Sequence, residues 1–490
     1  MVTRNIVSTF ARKLEKMSDK KELKAGLGYT IGNILIKGIS FLTLSVFSRL
    51  LNTADFGTYN TYVAYEAIIS IIVGLGIYSS IKNAKKDYKE VECYVSTQNW
   101  ICLFTAICIL LLSFIFRNQI SSFTGFSFYI IVILVFHSFG SAMLNVINAR
   151  LALEYDYKKY LIFAVFNTIL SVGLSIILIL TILSNYRADA RIIGAAIPMI
   201  IIGIYVFYSE GKKAKFAYNK DMAKYAVLFG IPLIWHYLSQ QIASQFDRIM
   251  ISSMVGTAFT GIYSFTYTIA NILQIIFYST DNVWGVWFFG RMETKDYVTI
   301  RDKSKKYMTL ILFIACSMMF FSKEIIIIMG SKEYWSGTTL FIPIIIGIYF
   351  LFLYTLPVGI EYFYKETKYI AITTFVSALV NIVLNYLFIP ILGYQAAAYT
   401  TAISYLVMFF MHWIISNKIL KKHNIDSIFK IRDFLETGLA ACLIGIIVII
   451  LNPYPAVKYV IYVIFTFAVY SKNKEGVNIL CGFIKRRIKR

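Results

Sequence analysis

Charge is scarce in this sequence: Asp, Glu, Lys and Arg make up only 15% of the 490 residues, against 58% that are hydrophobic. Soluble domains carry about a quarter charged residues, so composition excludes a soluble enzyme or binding module as the broad class. The six cysteines are equally uninformative as a framework. Cys102, Cys108, Cys316 and Cys442 lie inside apolar runs, Cys93 and Cys481 are expected on the cytoplasmic side, and no Cys/His group has metal-ligand spacing, so neither a disulfide nor a metal is expected. No Gly-rich loop ending in Lys-Ser or Lys-Thr is present, which removes ATP hydrolysis by this chain.

What the chain has instead is one long apolar run after another. A hydrocarbon core about 30 Å thick takes roughly 20 residues of helix per crossing. Fourteen such spans are expected, near 25–50, 58–81, 97–117, 124–148, 160–184, 191–209, 224–246, 258–284, 306–330, 338–360, 369–389, 393–416, 433–451 and 454–471. The runs are continuous rather than alternating, and backbone in lipid must satisfy its own hydrogen bonds, so the spans are helices and the fold class is an all-α polytopic membrane protein. Residues 1–24 are too long and too charged for a secretory leader, and no cleavage site follows the first span. They are expected to remain as a cytoplasmic segment, either as a solvated tail or as a short surface-lying amphipathic helix.

The formal charge of +22 is explained by where the cations sit. Of the 48 Lys and Arg, 39 fall in the N-terminal segment and every second connection, 8 fall on the opposite side, and Lys37 lies inside a span. That is the positive-inside pattern, with both termini cytoplasmic, and the partners it implies are anionic lipid surfaces rather than nucleic acid.

The chain also repeats itself. "TADFGTYNTY" from Thr53 returns as "TAFTGIYSFTY" from Thr257, an offset of 204 that aligns Ala54 with Ala258, Gly57 with Gly261 and Tyr59 with Tyr263. "IIGAAIP" at 192–198 pairs with "YQAAAYT" at 394–400 at an offset of 202. Two six-span repeats result, an N-lobe (25–209) and a C-lobe (224–416), joined by a linker (210–223). Each holds an even number of spans, so they run parallel, as transporter repeats often do. A loop (417–432), two added spans (433–471) and a basic tail (472–490) follow. The repeated stretch is expected to cap the outer end of one helix, turn at Gly57 or Gly261, and start the next helix with tyrosines at headgroup depth.

Three blocks, "SRLLNTADFGTYNTY", "FGIPLIWHYLSQQIASQFDRIMISSMVGTAFTGIYSFTYTIANIL" and "YKETKYIAITTFVSALVNIVLNYLFIPILGYQAAAYTTAISY", resemble the Wzx-type polysaccharide-biosynthesis flippases of the multidrug/oligosaccharidyl-lipid/polysaccharide superfamily. The resemblance runs from about Ala25 to Asn417 and is most specific in the third block, with Lys365, Thr367, Lys368, Asn381, Asn385, Pro390 and Gly393. It implies two six-helix lobes around a cavity that opens alternately to each side of a bacterial cytoplasmic membrane. The implied activity is transfer of an undecaprenyl-diphosphate-linked oligosaccharide to the outer leaflet for O-antigen, capsule or a related polymer. It also implies membrane lipids as surroundings and leaves a polymerase and chain-length machinery open as partners.

Polar groups inside spans are the candidate site, because a charge at a helix centre costs about 2.5–3.5 kcal/mol and usually faces a cavity or a partner. Lys37 lies between Asn33 and Ser40 at helical spacing, and its repeat equivalent is Gln241. Counted at about 1.5 Å per residue from the outer turn, Lys37 is about 18 Å deep and Glu66 about 12 Å, so a long side chain spans the gap. Either the two form a permanent pair, or Glu66 yields Lys37 to a substrate phosphate. His236, Gln240, Gln241, Asp247 and Arg248 follow Pro232, which is expected to kink span seven, and they line a wet cavity or, for the last two, mark the membrane boundary. Arg49 ends the first span as a cavity residue or an interface anchor. His236 is the candidate for proton coupling; coupling to H⁺ or Na⁺ stays open, and no other cofactor is expected. His137 and His412 stand isolated in the sequence and read as structural. Asn381 and Asn385 read as hydrogen-bonding glue between helices. Arg301, Lys303, Lys305, Lys306 and the "KETK" of 365–368 either draw a diphosphate to the cytoplasmic mouth or only set topology.

Rival functions remain a drug exporter or a peptidoglycan-precursor flippase of the same superfamily. A membrane glycosyltransferase or polymerase is disfavoured, because the outer connections are short and acid-poor. The chain therefore reads as a transporter rather than an enzyme.

Overall fold

The structure, a computed structural model, describes residues 41–472 together with residues 28, 32, 38 and 39. Among the described residues it is helical throughout, without strands. The helices are α1 (Phe41–Leu50), α2 (Thr53–Gly74), α3 (Ile81–Asp87), α4 (Val91–Ile115), α5 (Arg117–Thr124), α6 (Phe128–Glu154), α7 (Tyr157–Leu180), α8 (Arg187–Lys213), α9 (Lys220–Met254), α10 (Thr257–Glu293), α11 (Tyr297–Phe320), α12 (Ser322–Met329), α13 (Thr338–Phe363), α14 (Thr367–Leu392), α15 (Ala396–Lys422), α16 (Ile431–Leu451) and α17 (Pro455–Lys472). Each expected span falls on one of these helices or on a bent pair; of the first, α1 describes the last part. Among the described residues, 7 helical stretches can cross a membrane by length and hydropathy, or 9 when each bent pair counts as one span. One of them, Thr367–Lys422, is 56 residues long, far more than a bilayer needs. It is a hairpin, since Gly393 (φ +71°) ends α14 and reverses the chain into α15.

The described chain forms two compact units, Met1–Gly261 and Ile262–Arg490, with the boundary inside α10. In the first unit α2, α4, α6 and α8 share a core that includes Val73, Ile77, Val135, Met143, Val146 and Val206. α7 and α8 form a hairpin in which the Arg191 guanidinium donates to Ser175 Oγ at 2.8 Å and stands over the Phe47 and Tyr59 rings at 4.1 and 4.4 Å. In the second unit the α14–α15 hairpin is tied by neutral groups. Asn381 donates to Thr401 at 3.1 Å, Asn385 donates to Asn381 at 3.2 Å, the Thr400 hydroxyl donates to Asn385, and Ser377 donates to the Ser404 carbonyl at 2.9 Å. The two asparagines therefore do the bridging expected of them.

One expectation about backbone is corrected. Gly57 and Gly261 do not form turns. They lie inside α2 and α10, whose preceding turns are at Leu51–Asn52 and at Val255–Gly256, where Gly256 has φ +125°. Asn52 caps α2 by accepting the Asp55 amide at 2.7 Å. The glycines serve close approach: a Cβ on Gly57 would stand 1.7 Å from the Thr257 carbonyl oxygen, and one on Gly261 would stand 1.9 Å from that of Thr53. The two copies of the motif thus pack reciprocally on each other. Pro232 lies inside α9, which runs through it as one 35-residue helix. A break comes in the expected second span, where Leu75 (φ 47°) and Gly76 (φ 63°) take left-handed backbone and the pair Thr53–Gly74 and Ile77–Asp87 bends by 50°.

Candidate functional site

The break after α2 organises the site. Gly230 of α9 packs so closely against it that a Cβ there would stand 2.4 Å from the Leu75 carbonyl oxygen. Seven residues on, two turns along α9, Tyr237 stacks on Tyr78 with ring centroids 5.6 Å apart and shares a 2.7 Å hydrogen bond with Ser79 Oγ. One further turn brings Gln240 and Gln241 to the same side as Tyr237.

These contacts place α9 beside α2 and α6 and border a half-open cavity of about 330 Å³ within the first unit. Helix α2 contributes Glu66 and Ser70, α6 contributes Ser141 and Asn145, and α9 contributes Tyr237, Gln240 and Gln241; Ile71, Tyr78 and the small residues Ala67, Gly74, Gly76 and Ala142 complete the wall. Each helix supplies its polar groups at a spacing of three or four residues, which is one face of a helix. The Ser141 hydroxyl donates to Glu66 Oε1 at 2.7 Å and fixes the carboxylate at the wall. The lining combines one carboxylate with hydroxyls and carboxamides, a set able to donate to and accept from a polyhydroxylated ligand. No group of three His, Cys, Asp or Glu able to hold a metal occurs among the described residues.

Of the residues singled out in the sequence, Glu66, Gln240 and Gln241 meet in this cavity. Lys37 lies outside the described residues. His236 is half-buried beside Tyr237, with ring centroids 5.7 Å apart, and is not part of the lining. Asp247 and Arg248 are buried further along α9, where Arg248 donates to the Ser244 carbonyl at 2.8 Å. Arg49 is exposed and folds back on its own helix, donating to the Ser45 carbonyl at 2.7 Å. Arg301 and Lys305 are engaged in the second unit: Arg301 donates to the Ile428 and Ser427 carbonyls, and Lys305 pairs with Asp433 at 3.1 Å. Lys368 lies 3.6 Å from Glu366.

The two histidines read as isolated both have partners. His137 Nδ1 shares a 3.0 Å hydrogen bond with the Tyr62 hydroxyl. His412 Nδ1 lies 2.7 Å from Glu361 Oε1, both side chains wholly buried. Ser141, Asn145 and Tyr237 were also missed by sequence reasoning. The polar spacing of Ser141 and Asn145 on α6 was the available signal, but Ser and Asn in apolar helices are common as packing groups.

The polysaccharide biosynthesis protein family model matches residues 23–284, just over half of the chain. The chain belongs to that family. It is 23% identical over 355 residues to the Lsg locus putative protein 1 of Haemophilus influenzae, covering 68% of this chain and 85% of that protein. It is 25% identical over 276 residues to an uncharacterized membrane protein of the same organism, covering 54% and 64%. Among solved structures, it is similar to an inward-facing multidrug resistance MATE transporter of the MOP superfamily, with a TM-score of 0.66, 13% identity, and coverage of 81% of this chain and 99% of that one. It is also similar to the lipid II flippase MurJ in an inward closed conformation, with a TM-score of 0.62, 16% identity, and coverage of 94% and 99%. The fold of this family member is therefore that of the MOP transporters, and the chain is a multi-pass membrane protein.

Proposed function

We propose that this protein is a flippase that moves an undecaprenyl-diphosphate-linked oligosaccharide across the bacterial cytoplasmic membrane by alternating access, for assembly of O-antigen, capsule or a related polymer. The observation that carries the reading is the cavity where Glu66 and Ser141 oppose Gln240 and Gln241, in a chain of the polysaccharide biosynthesis family. Hydroxyls, carboxamides and a carboxylate, on half-buried or exposed side chains, match the hydroxyl and acetamido groups of a sugar. Lys37 supplies the cation for the diphosphate: a compact ammonium binds phosphate without the bidentate grip of a guanidinium and so releases it.

The peptidoglycan-precursor alternative is supported by the fold match to the lipid II flippase, which extends over 94% of this chain; the drug-exporter alternative is supported by a match over 81%. Deletion of the gene in its own host separates the three. Lipid-linked oligosaccharide of the surface polymer accumulates on the inner leaflet if the proposed reading holds. Accumulation of the peptidoglycan precursor, or altered drug tolerance with normal surface glycan, would replace it with the corresponding alternative.

A further inference from the structure

Glu361, near the end of α13, and His412, on α15, meet inside the second unit with Nδ1 and Oε1 2.7 Å apart and no exposed side-chain surface on either. The other polar atom of each, Glu361 Oε2 and His412 Nε2, is buried with no hydrogen-bond partner among the described residues. A buried polar atom left unmatched costs the desolvation of that group. The first unit holds a pair on corresponding helices with more partners. Arg150, near the end of α6, donates to Glu92 at 3.0 Å, to Glu154 at 2.9 Å and to Glu210 of α8, and Glu210 also holds Lys213 at 2.5 Å. The repeat offset of 202 carries Glu210 to His412. Arg150 and Glu361 both sit about one turn before a left-handed residue, Tyr155 (φ 58°) and Lys365 (φ 59°). The two pairs thus join corresponding helices of the repeats, one with a guanidinium that never loses its proton, the other with an imidazole, a group that exchanges protons near neutral pH.

We propose that Glu361 and His412 form a proton-binding site, and that its protonation is coupled to bending of α13. The bend has a joint. Pro357 lies inside α13 one turn before Glu361 and has no N–H, so the Leu353 carbonyl has no helix partner there. Imidazolium with carboxylate is neutral overall. When the proton passes from imidazole to water, a carboxylate is left in the protein interior beside a neutral ring, and that state is favourable only once water reaches it. Proton loss and opening of the site therefore go together.

The neighbours do not supply a substitute charge. Tyr354 stacks on the His412 ring at 5.3 Å, and Tyr362 adjoins Glu361. From α10, Tyr278 and Asp281 face those two tyrosines. From α14 the buried groups are the neutral Thr373 and Ser377, with Lys368 near Glu366; where α11 meets α16, Lys305 and Asp433 neutralise each other. Among the described residues, His412 is the one cation-forming group found acting on the Glu361 carboxylate.

As a driving site for transport this rests on the flippase reading, but protonation can be measured without any substrate. The full-length protein, labelled with ¹³C and ¹⁵N histidine in lipid nanodiscs, gives signals for its four histidines, and His412→Gln assigns the one of interest. The expected result is that the His412 signals report release of one proton as pH is raised, and that Glu361→Gln displaces this release to lower pH by at least about tenfold in proton concentration. If Glu361→Gln does not fold, Glu361→Asp serves, with a displaced release expected. A His412 that keeps one protonation state throughout the titration, or ignores both substitutions, overturns the proposal. In a second arm, pyranine-loaded proteoliposomes report proton movement with a polyprenyl-diphosphate-linked N-acetylglucosamine disaccharide as probe. If wild type moves the probe independently of a pH gradient, the coupling is overturned. If wild type leaves the probe unmoved while His412 titrates as expected, the flippase reading fails and the proton site stands.

Discussion

The α6–α8 contact of the first unit and the α13–α15 contact of the second are built on corresponding helices yet are held by different chemistry. In the first, one buried guanidinium gathers three carboxylates. In the second, one carboxylate meets one imidazole, and Gly347 of α13 packs against Ala402 of α15. The hairpins repeat the contrast: Arg191 with its serines and rings in α7–α8, asparagines and threonines in α14–α15. Helical spacing and small residues preserve the scaffold, while the polar groups have diverged toward fixed charge in one half and toward neutral or titratable groups in the other.

Breaking the fixed-charge half should cost most. Arg150→Met leaves Glu210, whose side chain is 3% exposed, without its main partner; a buried pair broken on one side costs about 3–5 kcal/mol. Thermal unfolding of the purified protein in detergent should show this as the largest loss in the series. Glu361→Gln should cost less, about 1–3 kcal/mol, because the imidazole left behind can shed its charge. Equal losses at the two sites would mean that the second pair is as fixed as the first.

The reciprocal motif contact offers a sharper comparison. Gly57→Ala and Gly261→Ala each force a methyl group into the other copy's backbone, and overpacking of this kind costs about 1–3 kcal/mol. The double substitution should not be additive, since both changes strain one contact. Additive losses would indicate two separate contacts. Next come the hairpins, where Asn381→Ala should cost about 0.6–2 kcal/mol and Arg191→Met about as much, through its serine bonds and two ring contacts. The smallest effect belongs to the exposed Arg432–Glu436 pair, with side chains 84% and 59% accessible: Glu436→Gln should leave the unfolding temperature unchanged.

Much of the helical framework was legible because membrane-length apolar runs leave little alternative to helices. The repeat was legible where its residues are structural, at Thr53 and Thr257 and at the starts of α8 and α15. The role of Gly57 and Gly261 was misread because a glycine between apolar runs marks a turn or a close approach equally well, and only the partner's backbone decides which. The bend at Leu75–Gly76 had a signal in "VGLG", two glycines inside an apolar run. Within the candidate site, Glu66, Gln240 and Gln241 were visible as polar groups in apolar helices. Their meeting with Ser141 and Asn145 was not, since the partners lie 75 or more residues away and leave no local pattern. The same holds for Glu361 and His412, 51 residues apart.

The most direct measurement is flipping itself. Proteoliposomes carrying a fluorescent polyprenyl-diphosphate-linked disaccharide in both leaflets are treated with an impermeant quencher, and the rate at which the protected fraction is lost is compared for wild type and for Glu66→Ala combined with Gln241→Leu. The account predicts that wild type exposes the protected lipid and that the cavity variant, folded by its unfolding temperature, does so roughly tenfold more slowly, as expected for the loss of one or two hydrogen bonds to the sugar. A wild-type protein that leaves the protected fraction intact, or a cavity variant as fast as wild type, would contradict it.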